Sequence, residues 1–138
     1  TGWIDEQTIV YAVMGGDGFT FTSYNLQSGE SRALFTVQNK AGYGAISPDG
    51  QWIVFADRVV GEMNWGIFIA RLDSSERKLV AEPQVPTAFT SVWGPDGQWL
   101  IVNTRDSEGK NQAVLVNPFT CQVLLLSHVN GMVEGWSR

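Results

Sequence analysis

Ser47-Pro48-Asp49-Gly50-Gln51-Trp52-Ile53-Val54-Phe55-Ala56 is the stretch that decides the fold, because it joins a turn signal to an apolar run and because it recurs. Pro presets φ at about −65° and Gly admits φ > 0, so Pro48-Asp49-Gly50 predicts a tight reversal. Residues 51–56 are an unbroken run of β-formers without alternation, which predicts a strand buried on both faces.

This run lies over Gln98-Trp99-Leu100-Ile101-Val102-Asn103, 47 residues on, and over Gln7-Thr8-Ile9-Val10-Tyr11-Ala12, 44 residues back. The third copy is preceded by Trp93-Gly94-Pro95-Asp96-Gly97, the first by a shorter Trp3-Ile4-Asp5-Glu6 that lacks the Pro-Gly turn. A second set of segments gives an independent check. Asn25-Leu26-Gln27-Ser28-Gly29-Glu30 matches Arg71-Leu72-Asp73-Ser74-Ser75-Glu76 and then Asn117-Pro118-Phe119-Thr120-Cys121-Gln122, each 46 residues after the last. Both sets agree on a unit of about 45 residues, the length of a four-stranded propeller blade. The units run over about 1–41, 42–87 and 88–131. Trp136, 43 residues after Trp93, opens a further copy in 132–138. With short strands at regular spacing and no helical apolar period between them, the expectation is an all-β chain of about three four-stranded antiparallel blades.

Composition narrows function mainly by exclusion. Fourteen acidic residues against nine basic ones give a formal charge of −5, without a basic run, so non-specific nucleic-acid binding through phosphate neutralisation is not expected. The longest apolar stretch, Val123-Leu124-Leu125-Leu126, is far short of the roughly 20 residues of a membrane helix, and no membrane insertion is expected. Cys121 has no second Cys to pair with, so one thiol fixes no redox compartment. The chain opens at Thr1-Gly2-Trp3 without a targeting signal, and we expect a piece of something longer.

Motifs with chemical potential each have a simpler reading. Asp49 and Asp96, between Pro and Gly, suit a turn in which the carboxylate bonds local backbone. Gly15-Gly16-Asp17-Gly18 precedes a strand rather than a helix N-terminus and reads as a turn, not a phosphate cradle. The segment 106–111 lacks the spacing and terminal bidentate Glu of a calcium loop. His128 is the only imidazole, and Cys121 stands where the first unit has Gly29, an exposed turn position, so no catalytic residue is assigned. No metal or cofactor is expected. Trp3, Trp52, Trp93, Trp99 and Trp136 recur at the repeat period and read as blade-packing residues. Trp65 breaks the pattern, in a segment, 57–65, that mixes Arg58, Glu62, a Met and an aromatic. Loops on a rigid scaffold carry recognition, so this segment leads the binding candidates, with Trp65 tucked against its own strand as the alternative.

The stretch 47–56 resembles the repeat of TolB-type, WD-like β-propellers, most strongly in the second and third units. That resemblance implies a propeller whose innermost strand ends at the Pro-Asp-Gly turn. It also implies one loop-bearing face, here made of residues 13–17, 57–65 and 104–110 with 37–43, 82–89 and 128–132. On that face Tyr43, Arg58, Glu62, Trp65, Arg105 and Asp106 are the candidate binding residues. By the same resemblance the protein would act outside the cytoplasm. The expected function is a non-enzymatic protein-interaction module; the alternatives are an accessory propeller domain of a larger peptidase-like enzyme and a small-ligand or carbohydrate binder using Trp65. Three blades do not close a ring. A partner must cover the end faces: another protein, the remainder of a longer chain, or a second copy giving a six-bladed homodimer. The segment 133–137 could supply an inner strand to the first unit of this chain or to a neighbour.

Overall fold

The computed structural model describes residues 2–16, 18–38, 44–59, 65–81, 90–106, 108–129 and 131–136. Among the described residues twelve strands form three antiparallel sheets, each a meander of four consecutive strands. Blade 1 holds β1 (Gly2–Trp3), β2 (Thr8–Met14), β3 (Phe19–Asn25) and β4 (Ser31–Val37). Blade 2 holds β5 (Gly44–Ile46), β6 (Trp52–Arg58), β7 (Trp65–Arg71) and β8 (Arg77–Ala81), and blade 3 holds β9 (Thr90–Trp93), β10 (Leu100–Arg105), β11 (Asn111–Asn117) and β12 (Gln122–Leu125). No helix among the described residues is long and apolar enough to cross a membrane.

Each Pro-Asp-Gly turn forms as its chemistry dictates. The Gly50 and Gly97 N–H groups donate back to the Ser47 and Gly94 carbonyls at 2.9 Å, with both glycines at φ 68°. Asp49 Oδ1 accepts from the Gln51 N–H at 3.1 Å and Asp96 Oδ1 from the Gln98 N–H at 3.0 Å. The first unit reaches the same end without Pro or Gly: Asp5 Oδ1 accepts from the Gln7 N–H at 2.8 Å. The Asp side chain, present in all three copies, is thus the common element of the turn.

The Gln7 N–H holds the Asp5 carboxyl below its ordinary 3.8, and the Ser75 hydroxyl and N–H do the same for Asp73. A lowered folded pKa means that each turn's contribution is present above 3.8 and lost as pH falls through the lower value. The Gln7 and Ser75 amide resonances should therefore titrate with midpoints below 3.8; midpoints at or above it would contradict these hydrogen bonds.

The hairpins between third and fourth strands are also built on side-chain acceptors. Asn25 Oδ1 caps the N–H groups of Gln27 and Ser28, and Asn117 Oδ1 those of Phe119 and Thr120. The Leu26 and Leu72 N–H groups donate to the Gln7 and Gln51 carbonyls; the third unit has Pro118 there, which has no N–H, and buries its ring instead. Cys121 is exposed and sits at φ 58°, left-handed like Gly29 at φ 72° in the first unit. Left-handed backbone costs a non-Gly residue about 1–2 kcal/mol, and Gly loses about 0.5–1 kcal/mol more entropy on folding. Cys121→Gly should therefore raise stability by about 0.5–1 kcal/mol, read from the thermal midpoint.

The core lies between blades. Alternate residues of β6 face opposite ways: Ile53 and Phe55 join Val10, Phe21 and Val37 of blade 1, while Trp52, Val54 and Ala56 join Leu100, Val102 and Val116 of blade 3. Residues 52–57 are all buried, as the unbroken apolar run requires. Aromatic rings fill the first interface, with Phe55 5.2 Å from Phe35 and 5.9 Å from both Phe21 and Phe68. Polar ties bridge the same seams: the Ser74 hydroxyl donates to the Leu34 carbonyl at 2.8 Å and the Lys78 ammonium to the Phe119 carbonyl at 3.1 Å.

The recurrent tryptophans separate into two groups. Trp52 and Trp93 are buried, and the Trp93 indole N–H donates to the Ala45 carbonyl of the preceding blade at 2.9 Å. Trp3 pairs with Ile9 as Trp93 pairs with Leu100, yet it is 59% exposed. Trp136 is 39% exposed. The packing role expected of Trp3 is therefore not met among the described residues.

Candidate functional site

Four of the six candidate residues, Arg58, Trp65, Arg105 and Asp106, are among the described residues. Tyr43 and Glu62 lie outside the described residues, as do residues 60–64 and 82–89 of the loops expected to carry recognition. Arg58 and Trp65 are brought together. They are register partners that close β6 and open β7, with the Arg58 guanidinium 5.5 Å from the centre of the Trp65 ring. Trp65 is thus a strand residue covered by a cation, the tucked arrangement rather than an indole presented from a loop. A sugar stacking on the same ring face would have to move Arg58.

Arg105 is the exposed last residue of β10 and pairs with Asn111. Asp106 is occupied by its own turn. Its Oδ1 accepts from the Glu108 and Lys110 N–H groups, both at 2.9 Å, and Lys110 Nζ pairs with Glu108 at 2.6 Å. The carboxylate fixes the β10–β11 turn, which explains why Asp stands in this segment. Among the described residues no three metal-binding side chains gather.

The polar centre of the loop-bearing end is Asp57, which sequence reasoning did not single out. Its side chain is 6% exposed, and its carboxylate is fully engaged. Oδ1 accepts from the Gln38 N–H at 3.0 Å and the Arg58 N–H at 2.9 Å, while Oδ2 pairs with Arg77 Nη2 at 2.6 Å. Gln38 follows the last strand of blade 1, Asp57 lies on β6 and Arg77 on β8, so one carboxylate joins two blades. The Arg77 guanidinium also lies 4.6 Å from the Phe68 ring centre and 5.1 Å from that of Phe55. The repeat alignment held a signal for this: Val13 and Thr104 occupy the equivalent positions, so an acid in the middle copy alone, inside an apolar run, marks a specific partner.

At the far end, Asn103 plays a comparable part. Its Oδ1 accepts from the Val133 N–H, and its Nδ2 donates to the Val133 carbonyl and to the Thr90 hydroxyl, each at 2.8 Å. Residues 131–136 accordingly run beside blade 3 rather than returning to blade 1, and the buried Ile101, Asn103 and Ala113 lie on that side.

Three stacked four-stranded meanders with adjoining inner strands leave one architecture. The chain has the fold of a partial β-propeller. Solved structures with this arrangement include TolB from Acinetobacter baumannii, 14% identical with a TM-score of 0.73, where the match covers 92% of this chain and 32% of that one. An uncharacterised protein from Listeria monocytogenes EGD-e matches at 18% identity and a TM-score of 0.74, over 93% of this chain and 39% of that one. The β-propeller domain of the Trilobed protease from Pyrococcus furiosus matches at 19% identity and a TM-score of 0.60, over 85% and 37%. No family model matches the sequence, and no curated protein does. The propeller chain therefore spans about a third of the length of these structures.

Proposed function

We propose that this chain is a non-enzymatic protein-interaction module made of TolB-like blades, whose uncovered end is closed by further blades. The observation that carries this reading is Trp3. Its counterpart Trp93 is 7% exposed and bonded to the preceding blade, whereas Trp3 is 59% exposed. Ile9, Tyr11 and Val13 alternate with the buried Val10 and belong to the same outward face of blade 1. Open apolar faces mark interaction sites. In the isolated chain a second copy supplies the missing blades head to tail, giving six in a two-fold ring; in a longer chain its remaining blades take that place.

A Trp3→Glu variant tests the reading. It should keep the wild-type circular dichroism spectrum and lose self-association in sedimentation velocity, while Leu26→Glu, at an exposed hairpin position, should associate as wild type does. Equal association of both variants would remove the end face from the reading. The second reading, an accessory domain of a larger enzyme, is favoured by the likeness to the propeller domain of a protease.

A further inference from the structure

Where blade 1 meets blade 2, at the loop-bearing end, lies an open groove of about 600 Å³. Its apolar lining comes from Val59, Phe68 and Leu79, and its polar lining from Gln38, Arg58 and Arg77 around the Asp57 carboxylate. Asp57 already accepts from the Gln38 and Arg58 N–H groups and from Arg77. The Arg58 side chain, by contrast, meets no carboxylate among the described residues. It is exposed and lies over the Trp65 ring. Among the described residues two guanidinium groups therefore line a groove that contains one carboxylate, a local excess of positive charge in a chain whose formal charge is −5.

We infer that this groove binds a carboxylate flanked by aliphatic side chains, as presented by an acidic-hydrophobic peptide segment of a partner protein. The inference rests on the interaction-module reading and names the partner chemistry for it. A guanidinium offers paired N–H donors that match a carboxylate, and Arg58 is pre-positioned by its stacking, so less freedom is lost on binding. The one guanidinium that meets no carboxylate among the described residues fits a monoanion better than a phosphate dianion. Val59, Phe68 and Leu79 give the neighbouring aliphatic side chains an apolar surface.

The test is a titration of the ¹⁵N-labelled 138-residue chain with N-acetyl-Leu-Glu-Leu-amide and, separately, with its Gln counterpart. The Glu peptide should shift the amides of Gln38, Arg58 and Leu79 and bind about tenfold more tightly than the Gln peptide, the usual worth of one charge-assisted pair. Arg58→Gln should abolish that preference while keeping the wild-type circular dichroism spectrum. Equal binding of the two peptides, or shifts centred on residues 105–111, would overturn the groove assignment and leave the module reading standing. Shifts of the groove amides on concentrating the protein without peptide would also overturn it, because a second copy would then be the occupant. Failure of the module reading shows separately, as an isolated chain that never associates.

Discussion

Asp57→Ala is expected to destabilise the chain by about 3 kcal/mol. Removing the carboxylate takes the acceptor from the Gln38 and Arg58 N–H groups at a part-buried seam and leaves Arg77 without its anion. Loss of one partner from a buried ion pair costs about 3–5 kcal/mol. The lower end applies because the Arg77 side chain is 39% exposed and can turn toward water. Asp57→Asn keeps an oxygen for the two N–H donors and loses only the charge, so it should cost about 1–2 kcal/mol. Urea unfolding at pH 7 separates the two, and equal losses would mean that the N–H donors contribute little to the seam.

Gly50→Ala should cost about as much, about 3 kcal/mol, and Gly97→Ala only about 1–2 kcal/mol. Both glycines occupy equivalent turns at φ 68°, so the left-handed penalty is common to them. Their surroundings differ. A Cβ on Gly50 would come within 2.3 Å of the Ile4 carbonyl oxygen, which is backbone of the neighbouring blade and cannot swing aside. A Cβ on Gly97 would meet nothing nearer than Pro48 Cδ at 3.9 Å. The difference between the two variants measures how tightly the inner turn of blade 2 is seated on blade 1, free of the shared backbone term. Equal destabilisation in urea would show that blade 1 yields at this point.

The fold was legible because the repeat superimposes turn chemistry on apolar runs. Pro48-Asp49-Gly50 and the buried run after it form as their residues demand, and the all-β propeller follows from their recurrence. The first turn shows which residue in the signal matters: Asp5 bonds the Gln7 N–H without help from Pro or Gly. The site was less legible. Asp106 reads as a free acid in the sequence but is occupied by the two N–H groups of its own turn, a local closure that composition does not reveal. Trp65 reads as a loop indole but pairs across a hairpin with Arg58, because β7 begins earlier than its apolar core suggests. Asp57 escaped notice for the opposite reason. Its partners lie 19 and 20 residues away, Gln38 just past β4 and Arg77 on β8, and only the packing of blade 1 against blade 2 brings them to one carboxylate.

The central claim is that the outward face of blade 1 is an interface, and the solution mass of the isolated chain across a dilution series, by light scattering, tests it most directly. A folded species at about twice 15.2 kDa that persists on dilution is the expected result. A folded monomer at every concentration would contradict it, since Trp3 and its neighbours would then be stable in water without a covering blade.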